Sequence, residues 1–211
     1  MKPLIENKSY ARYERRVLKK IGRHHFKYQN VLDLGCGWGF NTSLIATLSK
    51  RTIGVDVKER PSWKEFSSKK LKFQVSDATN KLPFDDSIFD VSYMRNLLHH
   101  VDNPDQILKE AQRVTKPRGK IIIAEANRYS PFFYIYTTKM RKHEHFSRRF
   151  FVNLIKNRFV DFQMKYFEAL YFPTDSEIVH KLERLWEEFV ESIPILKSIR
   201  SYNVAIIKNL K

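Results

Sequence analysis

The chain has few of the residues on which several specialised protein classes depend. Its 211 residues include one cysteine, Cys36, and six glycines. A single thiol excludes an intrachain disulfide and a metal site built from several cysteines. No apolar run reaches the length of a membrane-spanning helix, and residues 1–16 lack the apolar stretch of a signal peptide. These absences predict a cytoplasmic globular protein of a single domain, without stable membrane insertion.

Acidic residues are also few in comparison with basic residues. There are 23 Asp and Glu against 39 Lys and Arg, which gives a formal net charge of +16. The excess is concentrated in two segments, since residues 1–30 carry nine basic and two acidic side chains and residues 126–173 carry nine and three. Two explanations stay open, a surface that is merely well solvated and an anionic partner.

The pattern of apolar residues predicts an α/β domain. An amphipathic helix with a basic outer face is expected at 9–23. Short apolar runs then alternate with helical stretches, and the runs lie at 31–34, 52–57, 71–75, 88–94 and 120–126. This alternation is typical of parallel βαβ units and predicts a doubly wound, mostly parallel sheet. Further along, we expect a helix capped by Ser147, a strand at 159–167, an acidic helix ending near Ser192 and a strand at 202–207.

Three of the six glycines fall within five positions, at Gly35, Gly37 and Gly39. They follow the first predicted strand, where doubly wound folds bind nucleotides at the carboxyl edge of the sheet. A dinucleotide fingerprint requires a glycine where Phe40 stands, and a phosphate loop requires Gly-Lys-Ser/Thr, which is absent. The loop is therefore expected to bind another kind of nucleotide.

The segment from Asp33 to Gly39 resembles the first motif of class I S-adenosylmethionine-dependent methyltransferases. Acidic residues also end the second and third predicted strands, at Asp56 and Asp77, and the segments 89–101 and 113–123 resemble the fourth and fifth strands of that family. The resemblance covers about residues 28–126 and is closest to the group that includes quinone-type and many small-molecule methyltransferases. It implies a seven-stranded Rossmann-like sheet, with S-adenosylmethionine as cofactor and S-adenosylhomocysteine as product.

The resemblance also implies the contacts of the cofactor. Asp33 would hold the methionine ammonium through water, the three glycines would let the cofactor lie against the backbone, and Asp56 would bind the ribose. The remaining cofactor-binding residues that it implies are Val57, Asp77, Ala78 and Arg95. Taken singly, each of the three aspartates can also be interpreted as a cap at the end of a strand, but the three together favour the cofactor. One departure concerns the turn before the fifth strand, where the family's usual Lys-Pro-Gly-Gly has Arg118 in place of its first glycine. This replacement predicts a type I turn with Gly119 at its last position.

The catalytic residues are harder to predict, because methyl transfer is a direct displacement that needs a base only when the acceptor must lose a proton. His99 and His145 are the candidates for that base, and packing roles are the alternative for both. His143 and His145 lack a third ligand for a metal, so no metal is expected. Methylation at pyrimidine C5 needs a cysteine nucleophile. Because the one cysteine, Cys36, lies inside the glycine loop, this reaction is not expected.

These observations divide the single domain into four segments. A basic N-terminal helix occupies 1–28, the cofactor-binding core 29–126, an aromatic and basic lid 127–158, and C-terminal strands and a helix 159–211. The lid and the first helix are expected to meet at the mouth of the active site, with Arg141, Lys142, Arg148 and Arg149 facing an anionic acceptor. The predicted function is methyl transfer to a small molecule or lipid. Methylation of tRNA or rRNA is the first alternative, and a non-catalytic S-adenosylmethionine-binding regulatory subunit is the second.

Overall fold

A computed structural model describes residues 8–131, 134 and 145–211. Its centre is a seven-stranded sheet. The strands are β1 Asn30–Leu34, β2 Arg51–Asp56, β3 Leu71–Val75, β4 Phe89–Arg95, β5 Thr115–Ala126, β6 Phe162–Phe167 and β7 Tyr202–Lys208. Their order is β3-β2-β1-β4-β5-β7-β6, and β7 runs antiparallel to both of its neighbours. The prediction of a doubly wound, mostly parallel sheet is confirmed.

Six α-helices accompany the sheet in the described part of the chain. They are α1 Lys8–Ile21, α2 Phe40–Ala46, α3 Trp63–Phe66, α4 Pro104–Val114, α5 Arg148–Lys156 and α6 Glu177–Ser192. Ser147 caps α5 by accepting the Phe150 N–H, and Ser176 caps α6 by accepting the Val179 N–H. Pro104 begins α4, where its fixed φ suits the first helical position.

Each face of the sheet is covered by its own apolar layer, because successive side chains of a strand point to opposite faces. Leu32, Ile121 and Ile123 point to one face, which α4 and α5 cover. Val31 and Ile122 point to the other face, which α1 covers. Residues one position apart at the carboxyl ends of these strands therefore reach different faces, and the polar groups there form two separate clusters.

The turn that leads into the central part of β5 differs from the prediction. Arg118 has φ +64°, which is the left-handed conformation required at the third position of a type II turn and not of a type I turn. Gly119 is needed for another reason, since a Cβ there would lie 2.9 Å from the carbonyl oxygens of Asp90 and Lys116. The prediction of a type I turn is wrong, because Arg118 adopts the backbone conformation that the missing glycine would have adopted.

The basic face of α1 is directed in part against α6. Arg16 bonds Glu183 at 2.9 Å, and Lys20 bonds Glu187 at 2.8 Å. Both carboxylates are buried. The prediction of a solvent-facing basic surface is therefore wrong for Arg16 and Lys20, because the acidic face of α6 neutralises them.

Candidate active site

The glycine loop between β1 and α2 has positive φ at all three glycines. A Cβ on Gly35 would lie 2.6 Å from Leu97, and one on Gly39 would lie 2.7 Å from Phe73, whereas a Cβ on Gly37 would meet nothing within 4 Å. Gly35 and Gly39 thus serve packing inside the protein. Gly37 leaves open space in front of the backbone, and the Trp63 indole N–H fixes this turn by donating to the Gly37 carbonyl at 2.8 Å.

Next to this loop is a cavity of about 210 Å³ on the face covered by α1. Its lining includes Asp33, whose carboxylate is buried and accepts the Thr42 hydroxyl at 2.7 Å. Burial raises the pKa of Asp33 to about 7, against the lowering effects of the Thr42 hydrogen bond and of Arg95. A cation bound in the cavity would favour the ionised carboxylate.

A buried ion pair forms another wall of the cavity. Arg95, at the end of β4, donates both terminal nitrogens to the carboxylate of Glu14 on α1, one of them at 2.8 Å. Asn41 donates to the same carboxylate at 2.8 Å. Because Glu14 already neutralises Arg95, the cavity gains hydrogen-bonding groups from this wall without a net positive charge.

Three residues that line this cavity each contain a buried polar atom without a hydrogen bond to any residue that the structure describes. These atoms are the Asn41 side-chain oxygen, the Tyr93 hydroxyl and the Arg95 Nε. Buried polar groups are nearly always hydrogen-bonded, so orphaned groups converging on one cavity indicate a missing polar ligand. Two donors and an acceptor beside Asp33 suit the carboxylate and ammonium of an amino acid.

The second half of the cofactor site is predicted at the ends of β2 and β3. The Asp56 carboxylate accepts the Gly37 N–H at 2.8 Å and so lies directly beside the open part of the loop. Val57 follows it with 66% of its surface exposed. The Asp77 carboxylate caps its own turn through Thr79 and Asn80, which lowers its pKa, and Ala78 is buried behind it. The structure brings Asp33, Gly37 and Asp56 together at the glycine loop. Asp77 caps the turn that follows β3, which is the alternative role that the sequence allowed for it.

A second polar cluster occupies the opposite face of the sheet, at the ends of β4 and β5. Glu125 is buried and accepts the backbone N–H groups of Leu97 and Leu98, at 3.0 and 2.8 Å. Its other oxygen lies 2.5 Å from the Nδ1 of His99. The His145 ring packs edge-on against His99, with 4.4 Å between the centroids. The two predicted histidines are therefore neighbours, and a carboxylate fixes the orientation of one of them.

Arg148 reaches the same face of the sheet. Its Nε donates to Asn203 at 2.8 Å, and Asn203 is the register partner of Glu125 in the antiparallel pair of β5 and β7. Its guanidinium lies over the Tyr166 ring at 4.1 Å, and its second terminal nitrogen is buried without a hydrogen bond among the described residues. Desolvation lowers the pKa of Arg148 to about 10. Arg149 is exposed, and Arg141, Lys142 and His143 lie outside the described residues.

Sequence reasoning missed several residues of these two clusters, namely Glu14, Asn41, Tyr93 and Glu125. Two of them carried a signal in the sequence. Glu14 is the one acidic residue of an otherwise basic helix, and Glu125 ends a strongly apolar strand, where a charge is unusual. Asn41 and Tyr93 carried none, because nothing in the sequence shows that their polar atoms lack partners inside the fold.

The sheet order and the glycine loop are typical of Rossmann-like α/β proteins, a class that binds nucleotides at the carboxyl edge of the sheet. Residues 32–123 match the family model described as a methyltransferase domain. This segment, which contains the glycine loop, is therefore similar to methyltransferase domains, and the resemblance of its motifs to the class I S-adenosylmethionine-dependent family agrees with that match.

Curated proteins with similar sequences include two methyltransferases. A sterol 4-C-methyltransferase of Caenorhabditis elegans is 37% identical over 102 residues, which cover 44% of this chain and 30% of that protein. A demethylmenaquinone methyltransferase of Renibacterium salmoninarum is 31% identical over 137 residues, which cover 60% and 53%. The chain thus spans about a third to a half of the length of these relatives.

Solved structures share the fold over nearly the whole chain. A methyltransferase from Archaeoglobus fulgidus has a TM-score of 0.63 at 22% identity and covers 94% of this chain and 91% of its own. The N-methyltransferase NodS of Bradyrhizobium japonicum, in complex with S-adenosylhomocysteine, has a TM-score of 0.64 at 12% identity and covers 99% and 91%. At these identities the likeness concerns the fold alone.

The residues present fit S-adenosylmethionine. The orphaned groups and Asp33 suit its amino-acid end, and the Gly37 backbone with Asp56 suits its ribose. Within residues 8–131, 134 and 145–211 there is no cluster of His, Cys, Asp or Glu that would hold a metal. In the same residues, every helix is too short or too polar to cross a membrane.

Proposed function

We propose that this chain transfers the methyl group of S-adenosylmethionine to a small-molecule or lipid acceptor that carries negative charge. The observation that supports it most is the pairing of two polar clusters at one edge of the sheet. One cluster suits the amino-acid end of the cofactor. The other, on the opposite face, contains a carboxylate-oriented histidine and an arginine with an orphaned donor. The relatives named for sterol and menaquinone methylation favour a lipid over a nucleic acid.

In this proposal the bound sulfonium supplies an electrophilic methyl carbon, and the protein positions the acceptor in line with it. Arg148 binds the negative group of the acceptor through its orphaned nitrogen. His99 takes up a proton when the acceptor atom must lose one, because its Nδ1–H donates to Glu125 and its basic lone pair is then on Nε2. His145 packs against that ring and holds it in place.

A transfer assay with tritiated S-adenosylmethionine tests the proposed reaction. The purified protein is incubated with lipid extracts, RNA and protein fractions, and we expect label in the lipid or small-molecule fraction. Gly37→Val is the inactive control, since its side chain would enter the open space of the loop and valine disfavours the positive φ of Gly37. Label confined to RNA would replace the proposal with the RNA-methylating alternative. Binding of S-adenosylhomocysteine without transfer to any fraction would favour the regulatory subunit.

Glu125→Gln tests the role assigned to His99. We expect kcat to fall by about 10² or more and the pH profile of kcat to change, because the amide no longer holds the imidazole in the same tautomer. His99→Gln should be about as slow as the Glu125 variant, and the double variant should lose little more. An unchanged pH profile in Glu125→Gln would show that His99 only packs.

Arg148→Gln tests the negative charge of the acceptor. We expect KM for the acceptor to rise by about tenfold or more with little change in kcat, since a charge-assisted hydrogen bond is lost. Arg149→Gln, at the exposed neighbouring position, is the matched control and should leave KM unchanged. Equal KM values for the two variants would contradict the proposal that the acceptor carries a negative charge bound by Arg148.

A further inference from the structure

Helix α6 exposes a continuous apolar stripe. Ile178, Leu182, Leu185 and Phe189 are spaced four, three and four residues apart, which places them on one side of the helix. Their exposed fractions are 74%, 58%, 51% and 54%. Isolated exposed apolar residues are common on proteins, but a contiguous row of large ones marks an interaction surface.

The orientation of α6 explains why this stripe faces outward. The opposite side of the helix bears Glu183 and Glu187, both buried, and Glu191. All three pair with Arg16 or Lys20 of α1. These three carboxylates therefore face the protein while the apolar stripe faces outward, which is the reverse of an ordinary amphipathic surface helix. The ion pairs hold it in that orientation, and no rotation of the helix would bury the stripe without breaking them.

Cationic side chains flank the stripe. Lys181 and Arg184 are exposed on α6 itself. Along α1, a groove of about 600 Å³ is lined by basic residues that include Arg15, Lys19 and Arg23. In the described part of the chain, no ion pair joins these three side chains to an acidic residue. Arg12 both lines this groove and bonds Glu177 at 2.8 Å, so the groove borders the beginning of α6.

We infer that α6 and the basic groove of α1 form a docking surface for a bilayer that contains anionic lipids. An apolar stripe flanked by cations matches both parts of such a surface, because the stripe enters the boundary between headgroups and acyl chains and the cations bind lipid phosphates. A second copy of the chain fits less well, since two molecules of charge +16 repel each other. The inference depends on α1 and α6 and not on methyl transfer.

Flotation of the full chain with vesicles tests this surface. We expect binding to vesicles of equal phosphatidylcholine and phosphatidylglycerol, and little binding to phosphatidylcholine alone. Leu185→Gln/Phe189→Gln should weaken the partition by about tenfold or more, since two large apolar side chains no longer enter the bilayer. Arg15→Gln/Lys19→Gln should weaken it by about fivefold for each charge removed, and added salt should have the same direction of effect.

Matched controls are available on other elements. Val160→Gln removes a side chain that is 87% exposed between α5 and β6, and Lys72→Gln removes an exposed charge on the edge strand β3. Both should bind vesicles as the unchanged chain does. Each variant is first shown to bind S-adenosylhomocysteine, which establishes that it is folded.

Two results would overturn the inference. One is vesicle binding that the stripe and groove variants leave intact. The other is a dimer in sedimentation velocity that Leu185→Gln/Phe189→Gln converts to a monomer, with no binding of the unchanged chain to vesicles. Failure of methyl transfer would leave the inference standing, because no arm of the experiment measures turnover.

Discussion

Asp33 shows how burial prepares one side chain for a charged ligand. Its carboxylate lies in a cavity with few polar partners, and desolvation raises its pKa to about 7. In the absence of a ligand the Asp33 carboxyl is protonated through much of the acidic range. A bound ammonium places a positive charge beside it and thereby favours the ionised carboxylate. Its affinity for the cofactor is therefore linked to pH.

The expected pH dependence follows from the direction of that shift. Below pH 7 Asp33 must release a proton to bind the ammonium, so Kd for S-adenosylhomocysteine should fall up to about tenfold per unit as the pH rises from 5.5 toward 7. Above that range Kd should level off. Calorimetric titration across this interval measures it, with Asp33→Asn as the variant in which the slope disappears. A slope retained in Asp33→Asn would assign the proton to another group.

Tyr93 combines deep burial with an orphaned hydroxyl. Because this hydroxyl lacks a partner among the described residues, Tyr93→Phe removes an unsatisfied polar group and should leave the free energy of unfolding unchanged or slightly higher. Loss of its hydrogen bond to the ligand should raise Kd for S-adenosylhomocysteine by about fivefold to tenfold. Chemical denaturation and calorimetry measure the two effects separately.

Tyr202→Phe is the matched control for that experiment. The Tyr202 hydroxyl bonds Tyr13 at 2.8 Å and Arg95 at 3.2 Å, so its removal should destabilise the fold. Equal effects of the two substitutions on stability would contradict the assignment of the Tyr93 hydroxyl to a ligand.

Among the elements, α1 and α6 depend on each other. Arg16, Lys20 and the backbone N–H of Leu170 all contact the carboxylate of Glu187, which is almost fully buried. Removing one member of such a network leaves the other members charged and with fewer partners. The position of α1, and with it the wall that Glu14 forms at the cofactor cavity, depends on α6.

Glu187→Gln should lower the free energy of unfolding by about 1–3 kcal/mol, because Arg16 and Lys20 each lose one of their two carboxylate partners. Chemical denaturation measures the loss. Glu188→Gln, on the exposed side of the same helix, should change stability by less than about 0.5 kcal/mol. A Glu187 variant as stable as the Glu188 variant would show that the α1–α6 ion pairs contribute no net stability.

At the scale of the whole molecule, the two faces of the sheet carry different parts of the proposed site. The face covered by α1 holds the groups suited to the cofactor, and the face covered by α4 and α5 holds His99, Glu125 and Arg148. Both clusters lie near the carboxyl ends of β1, β4 and β5. This arrangement predicts that cofactor binding and acceptor binding respond to different substitutions.

Cofactor binding should also stabilise the whole fold. At a concentration of S-adenosylhomocysteine near 100 times Kd, we expect about 2.7 kcal/mol of added stability and a rise in Tm of about 5–10 °C. Thermal unfolding with and without the ligand measures it. Arg148→Gln should retain the full rise and Gly37→Val should lose it. A rise that is lost in Arg148→Gln would contradict the division between the two faces.

Many elements of the fold are determined by residues that lie close together in the sequence. The limits of β3 and the capping of α5 by Ser147 were predicted from apolar periodicity and capping residues, because those signals lie within a few positions of each other. The cofactor loop was predicted from signals that are also local, because three closely spaced glycines directly after a buried strand are typical of a nucleotide-binding loop. The turn at Arg118 was predicted wrongly, because a local preference against positive φ gave way to the hydrogen bonds that hold β5 and the residues after β7 together.

The amino-acid order alone therefore determines the strand sequence, the glycine loop and the acidic residues at the ends of β1, β2 and β3. Tertiary structure decides which polar groups find partners. Glu14 meets Arg95 across 81 positions of the chain, Glu125 meets His99 across 26, and the cations of α1 meet the carboxylates of α6 across more than 160. Pairings over such distances depend on how helices pack on the two faces of the sheet, and a linear pattern of charges does not encode them. Those pairings leave the stripe of α6 exposed, and they leave one polar atom each of Asn41, Tyr93 and Arg95 without a hydrogen bond among the residues that the structure describes.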